Sequence, residues 1–119
     1  MRLKTNEIRD FRLKTLLAQG HNCALCNEVI ALTEAVLDHD HKTGLVRGVL
    51  HRGCNSLLGK IENSLVMNRI TPDRLKNILD NLQFYTNQHL AVLHPTHRTP
   101  EEKKLRAKRR AKLRKQRAT

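Results

Sequence analysis

The spacing of apolar positions changes several times along this chain, and each change marks an element. Leu3, Ile8, Phe11, Leu13, Leu16 and Leu17 are interleaved with Lys, Arg and Glu, which predicts an amphipathic helix over residues 3–18. Gly20 falls close to the C′ position that ends such a helix. Residues 21–30 hold a Cys-x-x-Cys knuckle in place of a periodic stripe. Ala35-Val36-Leu37 and Leu45-Val46-Arg47-Gly48-Val49-Leu50 read as two short strands, with a turn at Asp40-His41-Lys42-Thr43-Gly44 between them. A helix is expected to start near Arg52 or Gly53 and to run to about Leu58, with Gly59 at or near its end. Residues 35–59 therefore predict a two-strand hairpin followed by a helix.

Thr71-Pro72-Asp73 combines an N-cap, a first-turn proline and a first-turn acid, a strong helix start. Leu75, Ile78, Leu79, Leu82 and Phe84 or Tyr85 follow at helical spacing, so residues 72–91 predict a helix with one apolar face. That stripe reads as core or as the seam of a homodimer. His94-Pro95-Thr96-His97-Arg98 is a linker, and Thr99-Pro100-Glu101-Glu102 starts another helix, with Glu102 at the N3 position of a capping box. This last helix has only Leu105, Leu113 and alanines on offer for burial, so a partner is expected to order it. The fold class is α+β and mainly helical. Its expected divisions are an N-terminal helix (1–20), a knuckle-and-hairpin core (21–60), a helical extension (61–93), and a linker with a basic tail helix (94–119).

Composition sharpens this picture. In 119 residues, 39% are hydrophobic but only 3% aromatic, so the core is thin and aliphatic and a staple is expected. Three cysteines cannot close a disulfide framework among themselves, which favours thiolate ligands in a reducing cytoplasm. The first residues lack an apolar run of signal-peptide length, and no stretch approaches the roughly 20 apolar residues of a membrane span. A soluble, intracellular protein without a signal peptide is expected. The net charge of +12 favours a polyanion, most often nucleic acid. Residues 101–119 hold ten Lys/Arg against two Glu, a net of +8, while residues 1–100 hold thirteen against nine acids, a net of +4. Most of the excess therefore sits in the tail, where Lys108, Arg109 and Arg110 are candidate phosphate contacts.

Cys23-x-x-Cys26 and His51-x-x-Cys54 enclose a gap of 24 residues (27–50). Two such pairs fit a structural tetrahedral zinc of the Cys₃His type. Three small buried hydrophobes are the plain alternative, and a redox Cys-x-x-Cys lacks its βαβ context here. His51 is the expected fourth ligand, with His21, two residues before Cys23, as the other candidate.

Between the two pairs lies Asp38-His39-Asp40-His41. A hydrophobic core has little use for four consecutive titratable side chains, whereas a metal-dependent hydrolase does. Strand alternation puts Asp38 and Asp40 on one side and His39 and His41 on the other, for as long as extended geometry persists. Asn55 follows the last zinc ligand directly, and its carboxamide oxygen is a hard donor. Asp38 and Asn55 together offer two oxygens to a divalent cation, Mg²⁺ or Mn²⁺, with positions left for water and phosphate. His39 is the natural general base near neutrality. Arg47 could clamp a phosphate or could equally be a solvated strand residue, and Arg52 is a further candidate for DNA contact.

At these residues the chain resembles the phage recombination endonuclease VII family, which belongs to the His-Me finger (ββα-metal, HNH-type) nucleases. The matching segments are Cys23-Ala-Leu-Cys26, Leu37-Asp38-His39-Asp40-His41, Gly44-Leu-Val-Arg47-Gly48-Val-Leu50 and Cys54-Asn55, which together span about residues 20–60. The resemblance implies that Asp38 and Asn55 bind the catalytic metal, that His39 activates water and that His41 assists at the phosphate. It also implies that Cys23, Cys26, residue 51 and Cys54 hold zinc, and that the products carry 5′-phosphate and 3′-hydroxyl ends. His51 stands where better-known members carry a fourth Cys, and beyond residue 60 the match is expected to fade. The expectation is a DNA endonuclease of a phage, acting in the host cytoplasm on branched or nicked DNA. The rivals are a free-standing homing or nicking endonuclease and a non-catalytic zinc module that binds nucleic acid.

Overall fold

The computed structural model describes residues 1–118; Thr119, the end of the predicted tail segment, lies outside them. The chain forms two compact units, Met1–Leu79 and the residues from Asp80 onward.

The first unit begins with a 3₁₀ turn at Thr5–Glu7 that runs into α1 (Ile8–Ala18). The helical segment thus starts later than residue 3, because the Glu7 carboxylate accepts the Lys4 backbone N–H at 2.8 Å and fixes the chain entry there. The other end is a Schellman cap. Gly20 takes φ +67° while its N–H and that of His21 donate to Leu17 and Leu16 carbonyls, each at 3.0 Å. Leu16, fully buried, carries α1 into the core.

The sheet is an antiparallel pair, β1 (Ala35–His39) and β2 (Val46–His51). Ala35 pairs with His51 and Asp38 with Gly48, but His39 pairs with Val46, so Arg47 is an extra residue in β2. Such a bulge bends the strand and re-aims a side chain. The turn between the strands is held by Asp40, whose carboxylate accepts the N–H groups of Lys42 and Thr43, and it closes through Gly44 at φ +77°.

α2 (Arg52–Met67) packs on both strands. It runs straight through Gly59, where a stop at about Leu58 was expected. An isolated glycine costs a helix only about 1 kcal/mol, and here the inward stripe continues past it. Cys54, Asn55, Leu58, Ile61, Glu62 and Leu65 are the partly buried positions, at the spacing of one helix face. The stop comes at Asn68, whose side chain donates to the Ser64 carbonyl, and at Arg69, with φ +52°.

The core is small: Leu16, Cys23, Ile30, Ala35, Val49 and Leu50, with Leu37, Cys54 and Leu58 packed at its edge. Two of these nine are cysteines of the knuckle, so the expected staple stands inside the core. Gln19 adds a polar clasp. Its Oε1 accepts the Val49 N–H and its Nε2 donates to the Val49 carbonyl, both at 2.9 Å, which ties the end of α1 to β2. Gly48 makes room for this, since a Cβ there would lie 3.0 Å from Gln19 Oε1.

Thr71 caps α3 (Pro72–Thr86) as expected, accepting the Arg74 N–H at 3.2 Å. The helix ends short of residue 91, because Thr86 and Asn87 turn their side chains back onto the Leu82 and Gln83 carbonyls. Ile78, Leu79, Leu82, Phe84 and Tyr85 are exposed. In the second unit, α4 (Pro100–Ala118) opens with the expected capping box: Glu102 N–H donates to Thr99 Oγ1, and Thr99 N–H to Glu102 Oε1. Every described residue of α4 is exposed.

Candidate metal centre and active site

The cysteine pairs converge. Cys23 and Cys26 come from the knuckle, His51 from the end of β2 and Cys54 from the first turn of α2, and their ligand atoms all lie within 4.8 Å of one another. His51 Nδ1 is 3.3 Å from Cys26 Sγ and 3.8 Å from Cys54 Sγ. A tetrahedral zinc with Zn–S near 2.3 Å spaces its ligand atoms by about 3.5–3.8 Å, so the cluster has the size of a zinc site. All three cysteines are free thiols. Among the described residues this is the grouping that could hold a metal, and it contains His51, not His21.

Local geometry builds the knuckle around Cys23. Its N–H donates to the Glu28 carbonyl at 2.8 Å, its carbonyl accepts from Asn27 at 2.9 Å, and Asn27 takes φ +65° to permit the turn. Val29, bridged to Asn22, then offers its carbonyl to His51 Nε2 at 2.9 Å. With Nε2 engaged by the carbonyl, Nδ1 is the ring nitrogen that faces the sulfurs and is the one a metal would take. Burial opposes ionisation of Cys23, but hydrogen bonds from the backbone of Cys26, His51 and Leu25 and from the His51 ring outweigh it and bring the thiol to about 6. Burial, followed by the neighbouring Cys26 and Cys23 sulfurs, pushes Cys54 up to about 11. A divalent cation is what would let the Cys54 thiol ionise beside Cys23.

The acid–imidazole run divides as alternation requires. Asp38 is buried, 6% exposed, on the inner face of β1, whereas His39 and His41 are exposed with ring centroids 4.7 Å apart. Asp40 serves the turn, and its contacts to the Lys42 and Thr43 N–H groups hold its carboxyl below the usual range. Asn55 lies half-buried in the first turn of α2. Asp38 borders a cleft of about 240 Å³ with Ala24, Leu25, Arg47, Gly48, Leu50 and Leu58.

Arg47 is drawn into this site. Its Nε donates to Asp38 Oδ2 at 2.8 Å and its Nη2 to Asp38 Oδ1 at 3.3 Å, while Nη1 and Nη2 reach the Glu62 carboxylate at 3.1 Å each. Glu62 first, then Asp38, raises the Arg47 pKa, and Arg47 in turn holds the Glu62 carboxyl below its usual range. Glu62 is not legible in the sequence as a site residue, because the helix is expected to stop before it. Seven residues beyond Asn55, it shares that residue's face once α2 is continued. Gln19 is equally hidden, since a polar residue at a helix end looks like a solvated one.

Arg52 opens α2 and donates to the Thr33 carbonyl at 3.5 Å. Lys108, Arg109 and Arg110 lie on α4, exposed.

A two-strand hairpin and a following helix, joined by a Cys₃His cluster, define a zinc-binding ββα finger. The chain matches the recombination endonuclease VII family over residues 2–84, and it belongs to that family. The match continues through α2 and nearly all of α3, well past residue 60, where the motif resemblance was expected to fade. Comparison with curated proteins gave no match. No helix among the described residues is long and apolar enough to cross a membrane.

Proposed function

We propose that this protein is a metal-dependent DNA endonuclease of the His-Me finger (HNH) type that hydrolyses phosphodiester bonds in branched or nicked phage DNA. The observation that carries this reading is the division of one short segment. Asp38 turns inward against the finger while His39 and His41 stand exposed beside it, in a chain of the endonuclease VII family. Binding nucleic acid alone needs neither a buried carboxylate nor a paired imidazole face, which counts against a purely structural zinc module.

The residues suit a hard divalent cation. Asp38 and Asn55 are oxygen donors, and the Asp38 carboxylate already attracts the Arg47 guanidinium, so positive charge is favoured there. Asp38 and Asn55 would hold Mg²⁺ or Mn²⁺, which when bound supplies charge stabilisation at the phosphate and the leaving 3′-oxygen. His39 takes the proton from the attacking water. His41, against the His39 ring, assists at the phosphate. The zinc ligands act on the fold, setting the end of β2 and the start of α2 and therefore the position of Asn55. Arg52 and the basic residues of α4, Lys108, Arg109 and Arg110 among them, attract the DNA backbone. The exposed stripe of α3 supports self-association.

The test is a substrate panel. Four-way junction, nicked, mismatched and linear duplex DNA are incubated with the zinc-loaded protein and Mg²⁺ or Mn²⁺. Preferential cleavage of the branched substrates is expected. Cleavage of linear duplex at a defined sequence would favour a homing or nicking enzyme, and no cleavage with retained binding would favour the non-catalytic module.

A further inference from the structure

One guanidinium holds two carboxylates here, and the way its atoms are shared is informative. Nε is committed to Asp38, Nη1 to Glu62, and Nη2 contacts both. Both oxygens of Asp38 are thereby occupied by a cation of the protein's own. The two acids differ in setting: the Asp38 side chain is 7% exposed, that of Glu62 40%. The bulge creates this contact. Without the extra residue, position 47 would pair with His39 and present its side chain to the other face of the hairpin.

We propose that Arg47 is a displaceable internal cation on Asp38 and that Glu62 is the positioning residue that receives it when a divalent ion binds. The inference rests on Asp38 being a ligand of that ion. A divalent cation and a guanidinium repel each other and compete for the same two oxygens, so the arginine must yield at least the Nε contact. Glu62 gives it somewhere to go. The end-on pair through Nη1 and Nη2 survives loss of the Nε bond, leaves the guanidinium charge compensated, and keeps it at the edge of the site. Glu62 reaches this position because α2 passes through Gly59 and carries Asn55 and Glu62 on one face. With the ion bound, the parked arginine stands beside the cleft with its Nε free to donate to a phosphate.

The experiment is a double-mutant cycle read by Mn²⁺ affinity, from the loss of the free-ion electron paramagnetic resonance signal, in zinc-loaded full-length protein without DNA. Glu62→Gln should weaken Mn²⁺ binding by roughly tenfold, the scale of a hydrogen bond to a charged group, because the guanidinium then has only Asp38 to hold. Arg47→Gln should tighten it by a similar factor. In the Arg47→Gln background, Glu62→Gln should change the affinity about twofold or less. Should Arg47→Gln lose zinc or its melting transition, Arg47→Lys serves in the same cycle, since an ammonium keeps the charge but cannot span both carboxylates. An unchanged Mn²⁺ affinity in Glu62→Gln would overturn the inference alone. So would an equal loss in both backgrounds, which would make Glu62 act on the ion directly. If the wild-type protein binds no Mn²⁺ while retaining zinc, the assignment of Asp38 as a metal ligand fails and this inference fails with it.

Discussion

His51 donates from Nε2 to the Val29 carbonyl at 2.9 Å, and this one hydrogen bond decides which ring nitrogen faces the three thiols. It also joins the end of β2 to the knuckle loop, so the ligand cluster is held by a contact outside it. The consequence is a ligand cluster tied to both the knuckle and the end of β2, the strand that leads directly into Cys54 and Asn55.

Loss of a zinc ligand should therefore act on folding. Cys54→Ser is expected to lose zinc and the cooperative melting transition, since a structural zinc contributes on the order of 10–16 kcal/mol of apparent binding energy that is also folding energy. Asn55→Ala, its neighbour, should keep zinc and melt like the wild type while losing Mg²⁺-dependent cleavage. Zinc stoichiometry and thermal melting on both variants separate the roles; a common loss of fold would place Asn55 in the structural shell.

Replacing the proposed base should leave the architecture alone. His39 is exposed, so His39→Ala should retain zinc content and DNA affinity while cleaving roughly 10²–10⁴-fold more slowly. Cleavage at the wild-type rate would mean that another group takes the proton, with His41 the nearest imidazole.

The clasp between α1 and β2 makes a stability prediction independent of both metals. Gln19→Ala removes both hydrogen bonds to Val49, leaving the N–H of that fully buried residue without this partner while its carbonyl keeps the Ala24 N–H at 3.2 Å. A loss of roughly 1–3 kcal/mol is expected, measured by chemical denaturation of the zinc-loaded protein. Gly48→Ala should destabilise in the same direction, because its methyl group would press on Gln19 Oε1 from 3.0 Å. If Gln19→Ala unfolds at the wild-type midpoint, the clasp is replaced by water at no cost.

The tail prediction concerns salt. Residues 101–119 carry a net +8 and α4 has every described residue exposed. Deleting them should weaken DNA binding and flatten the plot of log K against log salt by about 0.9 for each phosphate the protein no longer neutralises. Turnover at saturating substrate should persist, since the proposed catalytic residues lie between Asp38 and Asn55. An unchanged slope would put the DNA footprint on the unit Met1–Leu79, with Arg9, Arg12, Lys14, Arg47, Arg52 and Lys60 as the next residues to replace.

Much of this protein was determined by local sequence alone. Ligand spacing, capping residues and strand alternation act over a few positions, so the Cys₃His cluster, the Thr71 and Thr99 caps, the Gly20 stop and the inward turn of Asp38 away from His39 could all be read directly. Three features were decided by tertiary structure. The choice of His51 over His21 rests on where β2 ends relative to the knuckle. The passage of α2 through Gly59 goes with the partial burial of Ile61 and Leu65 beyond it, which outweighs the cost of one glycine. The pairing of Arg47 with Asp38 and Glu62 rests on a single extra residue in β2, and a bulge is a property of two strands in register, which neither strand reveals by itself.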